Sequence, residues 1–105
     1  MSQYRKMIAQ RRRLLMLVLA HKLGNTCNVD VMHMSLSCMV PCTLDDLRAD
    51  MLWLNAEGLA EMIDYGAASG HVQAIELTRR GAEVANGSNT HPGIARLMPG
   101  DMDAL

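Results

Sequence analysis

The segment TLDDLRADMLWLNAEGL, residues 43–59, decides how the rest of the chain is read. Thr43 is a favoured N-cap residue, and Asp45 and Asp46 follow in a first turn, where exposed amides and the helix dipole favour carboxylates. Leu44, Leu47, Met51 and Leu54 recur at spacings of three, four and three, so they share one buried stripe of a helix. Asp45, Arg48, Ala49 and Leu52 face elsewhere. Trp53, the single tryptophan, lies beside the stripe, placed either to anchor a partner or, as a lone tryptophan more often does, to pack under the hairpin wing that follows. Gly58 ends the helix.

Upstream, residues 3–22 form a first helix with Tyr4, Ile8, Leu15 and Leu19 on one face, broadened by Met7, Leu14 and Val18. Its second half, LLMLVLA from Leu14 to Ala20, is apolar all round and needs cover from its own domain or from a second copy of the chain. Gly24 and Asn25 close this helix, and Thr26 to Val29 reads as a very short strand. A second helix, capped by Asn28 or Asp30, runs to about Met39 before Pro41 stops it. Downstream, 59–65 and 71–77 alternate as two strands around the turn GAASG, a β-hairpin. Thr78 caps a short closing helix that Gly87 ends. The sequence divides into a domain over 1–88 and an irregular Gly-, Pro- and Asp-rich arm over 89–105.

This order is mainly α within the α+β class: a winged helix-turn-helix of three helices, a two-stranded wing and a closing helix. The residues also carry a resemblance. DLRADMLWLNAEGLAE looks like the recognition helix and exit of winged-helix regulators, and LTRRGAEVANG is similar to their closing Leu-Thr-x-x-Gly motif. Together, RRRLLMLVLA, LRADMLWLNAEGL, ELTRRGAEVANG and HPGIAR resemble a family of small winged-helix proteins encoded by Mu-like phages and prophages, from about Arg11 to Arg96. The resemblance implies a fold similar to arsenic-repressor-type regulators and brings no settled biochemical activity.

Half of the 105 residues are apolar and a fifth are charged, ordinary globular usage. Net charge is −1, so no global field draws the chain to nucleic acid. The distribution is uneven: Arg5, Lys6, Arg11, Arg12, Arg13 and Lys22 give the first helix one sign, and acids dominate from Asp30 to Glu76. Ten methionines and no phenylalanine make methionine a main filler of core volume. LLMLVLA is far below the roughly 18 residues needed to span a bilayer, and no cleavage site follows it, which points to the cytoplasm of a bacterial host and to no membrane association. Three cysteines, Cys27, Cys38 and Cys42, suit free thiols in a reducing compartment.

Double-stranded DNA is the partner this pattern suggests. Arg48 is placed to meet a base edge, with Thr43 and Ala49 adding phosphate and thymine-methyl contacts. His71 at the hairpin tip, Arg79 and Arg80 at the closing helix, and Arg11, Arg12 and Arg13 complete the candidate DNA-binding set; the run 11–13 reads otherwise, and more commonly for such a run, as a solvated helix face or part of a partner interface. Asp45 and Asp46 oppose it, because they would repel phosphate; they cap the helix equally well, with Arg48 paired to one of them. The alternative is a non-enzymatic protein-interaction module on the same scaffold. Cys38, Cys42 and His33 do not match a common zinc spacing, and no catalytic set or phosphate-cradling loop is present, so no metal, cofactor or enzymatic activity is expected. The LLMLVLA segment suggests a homodimer through the first helix and the C-terminal arm.

Overall fold

The computed structural model describes residues 2–67 and 70–105, with side chains for 3–64 and 73–105. Among the described residues, five helices and one three-stranded antiparallel sheet make up an α+β fold. Helix α1 (Ser2–Lys22) is its axis. Leu14, Leu15, Met16, Leu17, Val18 and Ala20 have no exposed surface, and Leu19 keeps only 6%. The cover comes from within the chain, since α2 (Val29–Leu36), α3 (Leu44–Ala56), α4 (Arg79–Ala85), α5 (Asp101–Ala104) and strands β1 (Thr26–Asn28) and β3 (Gly70–Leu77) all pack on α1. The all-round apolar LLMLVLA therefore needs no second copy, and the ground for a homodimer through this segment is gone.

After α1, the Asn25 amide donates to the Ala20 carbonyl at 2.8 Å and turns the chain into β1. β1 pairs antiparallel with β3, Cys27 opposite Ile75, giving the sheet order β1-β3-β2 with β2 at Ala60–Ala67. The expected two-stranded hairpin thus gains a third strand, the short one read at Thr26. β2 and β3 run in register from Ala60↔Leu77 to Ala67↔Gly70, longer than the alternation suggested. The remainder of the expected tip, Ser69 included, lies outside the described residues.

Asn28, rather than Asp30, caps α2, its side chain accepting from the Val31 amide at 2.8 Å. α2 ends at Leu36, short of Met39. The Leu36 carbonyl takes the Met39 and Val40 amides in a tight turn, which releases the chain before Pro41, whose ring disfavours a helical residue at 40. Thr43 and Asp46 then form a complete capping box on α3: the Asp46 amide donates to Thr43 Oγ1 at 3.1 Å and the Thr43 amide to Asp46 Oδ2 at 3.0 Å. At the other end, Gly58 takes φ +74° while its amide reaches Asn55 O and the Leu59 amide reaches Leu54 O, a Schellman closure.

This exit is tied to α4. Thr78 accepts from the Gly81 amide at 3.2 Å and donates its hydroxyl to Gly58 O at 2.7 Å. Gly81 is there because α4 meets the chain at Leu59 with no room for a side chain; a Cβ would sit 1.8 Å from Leu59 O. Beyond α4 the arm lies along α1: the Ala95 amide donates to Gln10 O at 3.1 Å, Ile94 is buried, and Leu97, Met102 and Leu105 pack against the core. Methionine divides between roles, with Met16, Met32 and Met51 fully buried and Met7, Met34 and Met98 largely exposed. Among the described residues no helix is long and apolar enough to cross a membrane.

Gly81→Ala forces α4 off Leu59 and is expected to cost about 3 kcal/mol, the upper range for overpacking a tight contact. Urea denaturation measures it, and an unchanged midpoint would show that α4 moves freely on the exit of α3.

Candidate functional site

The exposed side of α3 begins with Asp45, whose side chain is 97% exposed. Arg48, one turn later, holds Nη1 at 3.6 Å from Asp45 Oδ1 and donates Nε to Gln73 Oε1 of β3 at 3.2 Å. The one cation on this helix is thus partly neutralised by its neighbour and tethered to the hairpin. Thr43 and Asp46 are committed to the cap. Ala49 and Leu52 are exposed, Leu52 at 60%.

The arginine run behaves unlike either reading of it, since it is neither a phosphate-facing row nor a solvated face. Successive residues on a helix point about 100° apart, so three adjacent arginines cannot aim at one target. Arg11 faces the arm and binds Asp101 with both ends of its fork, Nη2 to Oδ1 at 2.8 Å and Nη1 to Oδ2 at 3.0 Å. Arg12 and Arg13 face α3 and share Asp50: Arg12 Nε donates to Oδ2, and Arg13 Nε to Oδ1 at 3.1 Å. The Asp50 side chain is 3% exposed, and those of Arg12 and Arg13 are 11% and 19%.

Arg13 is held on every side. Its Nη1 donates to Gly93 O at 3.1 Å, and its guanidinium lies 4.1 Å from the Trp53 ring centroid, a cation–π contact. Trp53 meets His91 edge-on at 5.2 Å, so the C-terminal arm lies against the tryptophan. His91 Nδ1 accepts the Gly93 amide at 3.0 Å, which places its proton on Nε2, directed at Glu57 Oε1 at 2.9 Å. Gly93 passes so close that a Cβ would lie 2.4 Å from Trp53 Cζ2.

Arg79 is 93% exposed, 3.5 Å from Glu83, and Arg80 extends past Gly58. That is the far end of α3 from Arg48, about 15 Å away at the rise of a helix. The His71 side chain lies outside the described residues. The structure therefore brings Arg11, Arg12 and Arg13 to internal carboxylates, leaves Arg48 beside Asp45, and sets Arg79 and Arg80 at the other end of α3 from Arg48.

Asp50 and Asp101 were the residues sequence reading passed over. Asp50 stands three after Leu47 and four before Leu54, on the apolar stripe itself, and a basic helix with no carboxylate before Asp30 must find its counter-charges elsewhere. The Arg11 hydrogen bonds, aided by the Met98 amide, hold the Asp101 carboxyl below the usual carboxylate range against the opposing effect of burial. Burial pushes the Cys27 thiol up to about 11. Cys38 is exposed and Cys42 half-buried, and among the described residues no group of three His, Cys, Asp or Glu side chains is placed to hold a metal.

Comparison with known proteins returns no matching family model, no matching curated protein and no matching solved structure.

Asp50→Ala leaves two guanidinium groups facing an apolar core and is expected to cost about 3–5 kcal/mol, whereas Arg12→Ala costs less because Arg13 still answers Asp50. Equal losses in chemical denaturation would show that the two arginines are not sharing the carboxylate. For Asp101 the folded pKa lies below the unfolded one, so its contribution is full well above the ordinary value of 3.8 and fades as pH falls from there through the folded value. The stability gap between wild type and Asp101→Asn should accordingly be larger at pH 7 than near pH 3, as read from urea midpoints, and a pH-independent gap would exclude the linkage.

Proposed function

We propose that the chain is a winged helix-turn-helix domain of the type carried by Mu-like phages and prophages, acting in the host cytoplasm as a non-enzymatic protein-interaction module. The scaffold reading is supported by the element order, by α2 and α3 joined through a short turn, and by the sheet order β1-β3-β2 that sets the hairpin beside α3. The choice of module over base reader rests on one observation: Arg11, Arg12 and Arg13 are spent on Asp101 and Asp50. What is left on α3 is one arginine between Asp45 and Gln73, next to two acids at the end that would approach phosphate. Affinity for duplex DNA comes mainly from neutralised phosphates, and a face with this balance supplies few. Exposed Leu52, on the same side of α3, suits a protein surface better than a groove edge.

A second reading, a DNA-binding regulator of transcription or phage development, is favoured by Arg48 itself. It points outward from α3, and its side chain is 46% exposed.

Fluorescence anisotropy with a labelled mixed-sequence duplex separates the two. In about 50 mM salt the module shows no saturable binding, whereas a regulator binds with an affinity that falls steeply as salt rises. Binding of that kind, weakened by Arg48→Ala, would replace the module with the regulator.

A further inference from the structure

Gly93 passes Trp53 with no room for a Cβ, and both its polar groups are held: the amide donates to His91 Nδ1 at 3.0 Å, and the carbonyl accepts from Arg13 Nη1 at 3.1 Å. An amide can only donate, so Nδ1 has to be bare. With Nε2 directed at Glu57 Oε1 at 2.9 Å, the ring in this position carries one proton. An imidazolium donates from both nitrogens. A second proton on Nδ1 sets one N–H against another at 3.0 Å, and the bond to Gly93 is lost.

The charges around the ring decide which contact gives way. Glu57, at the C-cap of α3, is the carboxylate facing it, and it holds an imidazolium more tightly than a neutral ring. The cations on its other sides are Arg13 of α1, whose charge Asp50 answers, and Arg96 of the arm, which lines the same small cavity. At the end of α4 that cavity is walled by Val84 and Gly87, without charge. Protonation therefore leaves the ring on Glu57 and puts the loss on Gly93. The chain there is able to move, because the peptide joining Pro92 to Gly93 turns about a proline ψ and a glycine φ, neither of them locked by a ring or a side chain. Its other tie is a 3.3 Å bond from Gln10 Nε2 to Pro92 O. Once Gly93 leaves, Arg13 loses the carbonyl it holds, and the next tie along the arm, the Ala95 amide on Gln10 O, loses its support.

We propose that His91 is a proton-sensitive latch, which seats residues 91–95 on α1 and α3 at neutral pH and releases them as the ring takes up its second proton. Histidine is the side chain whose charge ordinarily changes between about pH 5 and 8. Asp101, which pins the far end of the arm, is held below the usual carboxylate range by Arg11 and keeps its charge over that interval. Release is thus confined to the near end of the arm, and what it uncovers is the Trp53 ring with the Arg13 guanidinium upon it. The latch works in the same way on an interaction module or on a DNA-binding regulator.

Amide hydrogen exchange on the full chain from about pH 7.5 to about pH 5 tests it, with protection taken relative to the unfolded chain so that the pH dependence of exchange itself cancels. The Ala95 amide should lose protection about tenfold or more as pH falls, while amides in the middle of α1 keep theirs. His91→Asn retains an acceptor for the Gly93 amide, since an asparagine side chain bonds the backbone two residues on, but it takes up no proton. Its Ala95 protection should stay level over the same range. Glu57→Gln removes the carboxylate that holds the charged ring and should move the transition to lower pH. Constant Ala95 protection in the wild type, an equal loss in His91→Asn, or a transition that Glu57→Gln leaves in place or raises overturns the proposal. So does an equal loss in the middle of α1, which would assign the transition to global unfolding. Should His91→Asn leave Ala95 unprotected even at neutral pH, the wild-type titration and Glu57→Gln decide between them.

Discussion

Asp50 carries a negative charge into a helix face otherwise made of Leu47, Met51 and Leu54, and much of the molecule is arranged to answer it. A carboxylate at that depth is tolerable only with charge-assisted hydrogen bonds on both oxygens, and α1 supplies them from two consecutive residues. The requirement then spreads. Two guanidinium groups for one carboxylate leave a positive excess at the contact, and Arg13 disposes of it on the Trp53 ring and the Gly93 carbonyl. Trp53 in turn needs Gly93 bare and His91 at its edge, and His91 is oriented by Glu57. One buried charge thereby ties together α1, α3 and the C-terminal arm.

Such a network is an indifferent source of stability, because desolvating three charged groups offsets most of what their attraction returns. Its value lies in geometry. Leucine against leucine permits α3 to slide or rotate on α1 by small amounts at little cost, whereas the Asp50 oxygens accept Arg12 and Arg13 in one register only. The Arg11–Asp101 fork does the same for the arm, setting the short helix α5 against the middle of α1. Both locks use the basic helix against acids far along the chain, so the uneven charge distribution of the sequence is largely a folding device.

The parts of the fold set by local chemistry were legible beforehand. The Thr43 cap, the Leu47–Met51–Leu54 stripe, the Gly58 exit, the hairpin and the Thr78 cap each depend on residues within a few positions of one another, and each is present. What escaped was set by distant partners. The RRR run looked available because nothing near it in sequence is acidic; its partners lie 37, 38 and 90 positions away. Trp53 was placed under the hairpin because the arm, lacking periodicity, offered no hint that it returns across α3. The short strand at Thr26 was read, but not its place in the sheet, because three residues give no sign of their partner and β3 lies about 48 positions away. For the candidate site, helix capping by Asp46 was readable, but the tether from Arg48 to Gln73 spans 25 residues and was not.

Trp53 is the chain's single tryptophan, and it sits where three segments meet: Arg13 of α1 lies over its ring, His91 and Gly93 of the arm press on its edge, and α3 bears it. Its emission is therefore a label-free optical reporter of one event, the seating of the arm. Lifting residues 91–93 would wet the indole and withdraw the histidine beside it while leaving the Leu14 to Ala20 core untouched, so arm release and global unfolding should have distinct fluorescence signatures in the same molecule.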